Sequence, residues 1–376
     1  MNRVRRSIAL MACVAGVLLG WAVEGGARDL WTKEQAQAWG KKTPWLVGSN
    51  YIPSTAINQL EMWQAETFDP ATIDRELGLA HGLGFNSMRV FLHDLAYKQD
   101  PDGFLKRVDG FLAIAAKHKI GVMLVLFDSV WDPFPKAGPQ RAPKPGVHNS
   151  GWVQGPGVEI LSHPERHGEL EGYVRGVVGR FKDDPRVQVW DVCNEPDNTN
   201  GSSYMKFEPA NKSELALMLL KKAYAWARDE NPTQPLTSGV WVGEWQRGKL
   251  TPLQTFQLEE SDVLSFHDYS PLPKLKARLE SVEAYGRPVL CTEYMARPEG
   301  SRFDPCLAFL KSKKVGAYNW GFVDGKSQTT IPWDSWKTPY RAEPPVWFHD
   351  IFRRDGTPYD AGEVAYIRGL TGAAGK

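Results

Sequence analysis

The sequence carries almost no net charge. It has 45 basic and 44 acidic residues, which gives a formal charge of +1 at pH 7. Proteins that bind nucleic acid or anionic membranes through their overall field carry an excess of basic residues, and no polybasic run occurs here. The composition therefore predicts a neutral ligand, not nucleic acid or a membrane surface.

Cysteine is scarce, with four residues in a chain of 376. Apart from Cys13, the cysteines are Cys193, Cys291 and Cys306, an odd set with no framework spacing and no Cys-x-x-Cys pair. Such residues are more often buried free thiols than disulfide partners or metal ligands. The sequence thus implies no metal and no other cofactor.

Signatures of several other enzyme classes are missing. There is no Gly-x-Ser-x-Gly nucleophile elbow and no phosphate-binding glycine loop. His163 and His167 are four residues apart, but His-Pro-Glu-Arg-His is not the metalloprotease order and no third ligand is evident. The first predicted strand has no His-x-His pair, which disfavours a metal-dependent amidohydrolase.

The amino terminus has the pattern of an export signal. Basic residues precede an apolar run over residues 8–22, and small residues follow at 25–27. We expect a signal peptide over 1–27, a secreted or periplasmic mature chain from Arg28, and no stable membrane association after cleavage. A transmembrane anchor is disfavoured because the run is short and Glu24 follows it. A lipoprotein modified at Cys13 is a weaker alternative, since the apolar region before that residue is brief.

Strand and helix patterns alternate along the rest of the chain. Short β-branched or aromatic runs are separated by amphipathic helical segments, as in parallel βαβ units, and no internal repeat is present. We therefore predict an α/β fold, a (β/α)8 TIM barrel forming one domain over 28–376, and a monomer. A capping box is predicted at Ser162 and Glu165. The predicted strands are 45–48, 87–91, 121–127, 187–193, 236–242, 263–266, 289–292 and 315–320, and the helices 70–81, 103–118, 163–181, 213–229, 251–258, 273–284, 304–313 and 361–370.

Two long loops follow the third and eighth predicted strands. The first runs from Phe127 to Trp152 and contains Trp131, and the second follows Trp320 and contains Trp333. Loops on the carboxyl side of barrel strands build the active site. Most of the 15 tryptophans should fill the core, but those in the loops offer flat faces for a ligand with a polar rim. A loop that only packs on itself is the alternative.

Two predicted strands end on a glutamate. Asn194-Glu195-Pro196 ends the fourth strand, and Glu293 ends the seventh. Parallel barrels hold catalytic groups at strand ends, and two carboxylates facing one pocket suit glycosidic bond hydrolysis. A single such glutamate is more often an ion-pair partner, but two favour catalysis. In these motifs the chain resembles the retaining (β/α)8 glycoside hydrolases, in particular glycoside hydrolase family 5.

The resemblance implies a role for each motif residue. Glu195 would be the general acid and base, with a pKa raised to roughly 6–7, and Glu293 the nucleophile, with the carboxyl groups about 5–5.5 Å apart. Arg89 matches the arginine that keeps the nucleophile ionised. Asn194 would donate to the 2-hydroxyl of the sugar, and the Tyr269 hydroxyl would bond the nucleophile.

Further positions complete the implied sugar site. His267 would line it, and Trp320 would form its floor, while Trp152 is a second candidate platform. Family 5 enzymes commonly have a histidine near the end of the third strand, where this chain has Asp128. Either His93 or Asp128 could take over that contact. This departure leaves the sugar undetermined.

The sequence therefore predicts a secreted retaining glycosidase that acts on a β-linked polysaccharide or oligosaccharide. Endo action on xylan, mannan or β-glucan is the first expectation, and a transglycosylase or exo-β-glycosidase on the same barrel is the alternative. From another class, the chain could be a carbohydrate-binding protein without activity. The presence of Glu195, Glu293, Arg89 and Tyr269 together argues against that alternative.

Overall fold

The computed structural model of the protein describes residues 27–373. The predicted signal peptide over 1–27 lies outside this range except for Ala27. Within the described residues, no helix has both the length and the apolar character needed to cross a membrane.

The described residues form a (β/α)8 TIM barrel, as predicted. Its strands are all parallel, in the order β5-β4-β3-β2-β1-β8-β7-β6, and a parallel bridge from Val240 to Phe266 links the two ends of this order. All eight predicted strands are present, although the fifth has only two residues. The strands are β1 Val47–Tyr51, β2 Ser87–Phe91, β3 Gly121–Asp128, β4 Val187–Asn194, β5 Leu236–Thr237, β6 Leu264–His267, β7 Val289–Tyr294 and β8 Gly316–Asn319.

The predicted helices surround the barrel, and the described residues form four further α-helices that the hydrophobic pattern did not reveal: α1, α2, α4 and α6. Of the four, α1 begins with a capping box in which Thr32 and Gln35 bond each other's backbone N–H groups. The α-helices are α1 Lys33–Lys42, α2 Gln59–Trp63, α3 Pro70–Gly82, α4 Asp94–Gln99, α5 Pro101–Lys117, α6 Val158–Leu161, α7 Glu171–Phe181, α8 Lys212–Asp229, α9 Pro252–Glu259, α10 Leu272–Glu283, α11 Phe303–Ser312 and α12 Ala361–Thr371.

The predicted helix over 163–181 and its capping box need correction. Residues Pro164–Leu170 form a 3-10 helix, and the α-helix begins only at Glu171. Ser162 ends α6 instead of capping a new helix, and His163 precedes the 3-10 helix without a side-chain cap. The Ser-x-x-Glu pattern therefore falls at a junction of two short helices.

The barrel interior is apolar at its base and polar above it. Leu46, Met123, Val189, Leu290 and Tyr318 pack together near the amino-terminal ends of the strands. Above them lies a buried polar layer built around Arg89, and the functional candidates are in and above that layer. The main core fills the space between the sheet and the helices, and Cys193, Cys291 and Cys306 are buried free thiols, as predicted.

Candidate active site

Glu195 and Glu293 face each other at the carboxyl-terminal end of the barrel. Glu293 lies in β7, whereas Glu195 is the first residue after β4 and has a left-handed backbone, with φ of 42°. Three atoms lie within 4.8 Å of one another: one carboxylate oxygen of Glu195, one of Glu293, and a ring nitrogen of His267. Both side chains are largely buried, with 11% and 6% of their surface exposed. This short separation suits direct attack by one carboxylate, because an inverting pair must leave room for a water.

Arg89 anchors the nucleophile candidate. Its guanidinium is fully buried and donates from Nη1 to Glu293 Oε1 at 3.0 Å and to Asn50 Oδ1 at 2.8 Å. The Nε and Nη2 atoms both donate to Asp191 Oδ2, at 2.9 and 2.8 Å. One buried cation thus serves two carboxylates, and its rigid fork fixes where Glu293 points.

The second oxygen of Glu293 is held by residues at the end of β6 and just after it. Tyr269 Oη donates to Glu293 Oε2 at 2.7 Å, and His267 Nδ1 lies 3.5 Å from the same oxygen. Burial raises the pKa of Glu293, while the positive charge of Arg89 and the hydrogen bond from the Tyr269 hydroxyl oppose that rise. Glu293 is therefore the carboxyl group of the pair whose anionic form is directly supported by a buried cation.

Glu195 has a different environment. It accepts a hydrogen bond from Asn198 Nδ2 at 2.6 Å, and its Oε1 lies 2.8 Å from His267 Nδ1. Among residues 27–373, no cationic side chain donates to it. Burial raises the pKa of Glu195 to about 7. Near neutral pH this group can both release and accept a proton, as a general acid and base must.

Asn194 is fixed between the arginine and the end of β3. Its Oδ1 accepts from Arg89 Nη2 at 2.7 Å, and its Nδ2 donates to Asp128 Oδ1 at 2.9 Å. The other oxygen of Asp128 accepts from Trp152 Nε1 at 2.6 Å and from Gln59 Nε2 at 3.0 Å. Asp128 is buried and does not line the cavity, so it positions Asn194, and the structure corrects its predicted sugar contact.

His93 also does not reach the cavity. The imidazole is fully buried, accepts from the backbone N–H of Leu95 at 3.1 Å through Nδ1, and lies 3.0 Å from the carbonyl oxygen of Gln154 through Nε2. It caps α4 and ties that helix to the loop after β3. The predicted substitution of His93 for the missing histidine is therefore wrong.

The tryptophans divide into two groups. Trp320 and Trp131 line the cavity, whereas Trp152 is only 2% exposed. Trp152 packs edge-on against Trp320 and Phe91, with ring centroids 5.6 and 5.3 Å apart. Its predicted role as a sugar platform is therefore corrected to support of Trp320 from behind.

The two glutamates open into a cavity of about 450 Å³, a size usual for small-molecule sites. A second cavity, of about 370 Å³, lies at the opposite end of the barrel, far from both glutamates. Sequence reasoning missed several residues of the first cavity because they lie on loops whose course the sequence pattern does not specify. The cavity is lined by Val130, Trp131, His148, Asn149, Asn194, Glu195, Asn198, Thr199, Gly201, Ser202, Trp241, Tyr269, Glu293, Trp320 and Trp333.

Asn50 and Asp191 were also missed, although Asp191 left a signal. It is a charged residue in the middle of the apolar run of β4, and a fully buried arginine needs such a partner. Glu195, His267 and Glu293 also have the spacing of a metal site. The two carboxylates also accept hydrogen bonds, Glu293 from Arg89 and Glu195 from Asn198.

The fold and site define a (β/α)8 barrel with a paired-carboxylate cavity. No family model matches the sequence, and no curated protein matches it. The structure, however, resembles solved mannosidases and mannanases of glycoside hydrolase family 5, as the sequence motifs predicted. Because the sequence identities given in the next paragraph are low, this likeness establishes only the fold.

Three of these structures show the range of the likeness. The exo-β-1,4-mannosidase Op5Man5 from Opitutaceae bacterium strain TAV5 has 19% identity and a TM-score of 0.60, over 88% of this chain and 59% of that chain. This chain therefore spans well under two thirds of that protein. A GH5_18 protein from Streptomyces cattleya, solved with Manβ1-4GlcNAc, has 15% identity and a TM-score of 0.57, over 86% and 79% of the two chains. The endo-1,4-β-D-mannanase from Thermotoga petrophila RKU-1 has 14% identity and a TM-score of 0.56, over 87% and 99%.

Proposed function

We propose that the protein is a retaining β-glycosidase that hydrolyses β-mannosidic bonds. The observation that carries the proposal is the pair Glu195 and Glu293, two buried carboxylates within 4.8 Å of each other in contrasting environments. Glu293 is bonded to the cation of Arg89, whereas the partners of Glu195 in the described part of the chain are the neutral side chains of Asn198 and His267. When their environments push the pKa values of two carboxyl groups apart, the group that keeps its proton is the acid and the ionised group is the nucleophile.

In the first step, Glu293 attacks the anomeric carbon of the sugar while Glu195 donates its proton to the glycosidic oxygen. The bond between that carbon and that oxygen breaks, and a glycosyl ester of Glu293 forms. Asn194 is held by Arg89 and Asp128 beside the pair, where its amide can contact the sugar 2-hydroxyl. Trp320 offers a flat face below the ring.

In the second step, water replaces the leaving group. Glu195, now ionised, takes a proton from water as the oxygen attacks the anomeric carbon, and Glu293 leaves as a carboxylate. Formation of the ester removes the negative charge of Glu293, which makes ionisation of Glu195 easier at that stage. Two inversions at one carbon give overall retention.

The choice of a β-mannoside follows from the solved proteins of similar fold, several of which are described as mannosidases or mannanases. A cavity with four tryptophan side chains at its wall suits a neutral sugar, whose ring faces are apolar. A binding protein without activity would not need a buried arginine directed at Glu293. Export through residues 1–27 remains part of the proposal.

Hydrolysis of a panel of substrates tests this proposal. We expect the wild-type chain to cleave an aryl β-mannoside and β-1,4-manno-oligosaccharides faster than the matching glucosides, xylosides and cellulose fragments. The first-formed sugar should have the β configuration by proton NMR. Glu293→Gln, which keeps the shape of the side chain, should abolish turnover. A wild-type chain that is folded but cleaves none of these glycosides would overturn the proposal.

A further inference from the structure

The cavity is closed on one side by two loops. Loop 3, residues 129–157, connects β3 to α6, and loop 8, residues 320–360, connects β8 to α12. Residues 144–149 of loop 3 and 327–340 of loop 8 meet above the barrel, and we name this junction the seam. Because β2 and β1 lie between β3 and β8 in the sheet, the seam spans the ends of those two strands.

Gln328 holds the seam together. Its Nε2 donates to the carbonyl oxygens of Lys144 and Val147, at 2.8 and 3.1 Å, and its Oε1 accepts from the N–H of Gly146 at 3.0 Å. The N–H of Tyr340 donates to the carbonyl oxygen of Gly146 at 2.9 Å. Gly146 has a φ of +69°, and a Cβ atom added at this position would lie 1.8 Å from the backbone oxygen of Tyr340. The two loops therefore touch without a gap.

The seam reaches the cavity through His148. The backbone N–H of His148 donates to Ser335 Oγ at 2.9 Å, and its Nδ1 lies 2.7 Å from the carbonyl oxygen of Ile331. Its ring packs edge-on against Trp131 and Trp333, and all three rings line the cavity. The wall next to the sugar site is therefore made of interlocked side chains from both loops.

The space beneath the seam is almost filled, and the cavity left there measures only about 20 Å³. Phe91, Trp152 and Trp320 pack together above β2. The loop after β1 fits between the two long loops, where the carbonyl oxygen of Ser54 accepts from the N–H of Lys326 at 3.1 Å. On its other side, Asn58 Nδ2 donates to the carbonyl oxygen of Gly151 at 2.9 Å. A groove for further sugars therefore does not continue over β1 and β2.

The opposite side of the cavity is open. Thr199, Gly201 and Ser202, in the loop after β4, line the cavity and are exposed. Trp241, in the segment after β5, is partly exposed and is fixed by a hydrogen bond from its Nε1 to Asp197 Oδ1 at 2.8 Å. The exposed ring and rim offer a surface for a group that extends out of the cavity.

The positions of the two glutamates determine which part of the substrate faces the closed side of the cavity and which part faces the open side. Glu195 follows β4 and is bonded by Asn198 of the same loop and by His267 of β6, so it lies on the open side. The general acid must reach the glycosidic oxygen, which places the leaving group on the open side. The sugar that is attacked then lies between the glutamates and the seam, where there is no room for a second unit beyond it.

We infer that the enzyme acts on chain ends, removing one sugar at a time from the non-reducing end of a short β-linked oligosaccharide. This inference rests on the proposed function and favours the exo alternative over the endo action that was the first expectation from the sequence. The leaving part of the oligosaccharide would contact Trp241 and the loop after β4.

The products from a β-1,4-mannohexaose labelled with a fluorophore at its reducing end test the inference. We expect labelled products that shorten by one unit in succession, with mannose as the sole unlabelled product at early times. The same hexasaccharide methylated at the 4-hydroxyl of its terminal sugar should lose most of its reactivity, since the seam leaves little space there. Labelled products of intermediate length together with unlabelled oligosaccharides at the first time points would overturn chain-end action but leave the glycosidase intact. Complete lack of cleavage, with an aryl β-mannoside also inert, would instead overturn the proposed function.

A variant with a weakened seam tests whether the seam, and not another feature of the cavity, restricts the enzyme to chain ends. Gln328→Ala removes three hydrogen bonds across the seam, whereas Gln140→Ala removes bonds of loop 3 with itself and with Asn58 and none across the seam. We expect Gln328→Ala to gain cleavage of the methylated substrate relative to wild type, and Gln140→Ala to match wild type in this ratio. Equal ratios in all three proteins would overturn the role of the seam.

Discussion

His267 Nδ1 lies 2.8 Å from Glu195 Oε1 and 3.5 Å from Glu293 Oε2, so one imidazole stands between the two carboxylates. Burial lowers the pKa of His267 to about 4, which makes the ring neutral at physiological pH. A neutral ring with its proton on Nδ1 donates a hydrogen bond to Glu195 without adding a positive charge to the site. Glu195 is thereby oriented while its pKa stays high enough for it to carry a proton.

The pH dependence of turnover should therefore be a bell. Because burial raises the pKa of Glu195 to about 7, we expect the upper limb near that pH, above which the acid has lost the proton that the leaving group needs. Glu195→Gln should lose this limb together with most activity on natural substrates. Glu299→Gln, at an exposed site, should keep the wild-type profile. An unchanged rate and profile in Glu195→Gln would contradict the assignment.

Tyr269→Phe should change the other limb. The Tyr269 hydroxyl donates to Glu293 and lowers its pKa, so removing the hydroxyl should raise that pKa and shift the acid limb of the bell to higher pH. The upper limb, which reports Glu195, should stay in place. Measurement of kcat/KM from pH 4 to 9 checks both expectations. A shift of only the upper limb would mean that the tyrosine serves the acid.

Asp191→Asn should destabilise the fold, since it removes the charge of the carboxylate that shares Arg89 with Glu293. Breaking a buried ion pair by removing one partner costs about 3–5 kcal/mol. Asp74→Asn is a matched control, because Asp74 pairs with Lys117 and His118 at the surface, where ion pairs contribute little to stability. Urea unfolding of both variants measures the difference. Equal losses would show that the Arg89 pair is not a major source of stability.

The catalytic candidates could be predicted because they depend on strand position alone. Glu195, Glu293 and Arg89 are each in or next to a strand, and the ends of parallel strands meet at one edge of the barrel. The roles of His93, Asp128 and Trp152 depend on how loop 3 folds back over β2 and β3. That course is fixed by contacts such as the bond from Trp152 to Asp128, which leave no periodic pattern in the sequence.

Trp152→Ala and Trp320→Ala should have opposite effects. Trp152 is 2% exposed, so its loss should lower the free energy of unfolding by about 3–5 kcal/mol. Trp320 is partly exposed at the cavity, so its loss should raise KM or lower kcat more than it lowers stability. Thermal melting and steady-state kinetics of both variants test this contrast. If Trp320→Ala lost only stability and kept wild-type kinetics, the ring would not contact the sugar.

The stereochemistry of azide rescue should separate the two glutamates. An aryl β-mannoside with an activated phenol needs no proton, so Glu195→Ala should still form the glycosyl ester of Glu293. Azide can then enter where the 195 carboxylate was and give the β-glycosyl azide. In Glu293→Ala the ester cannot form, and azide can only attack the substrate from the face opposite the leaving group, which gives the α-azide. Proton NMR distinguishes the products. The reverse pattern would exchange the roles of Glu195 and Glu293, and absence of rescue in both variants would point to a different catalytic pair.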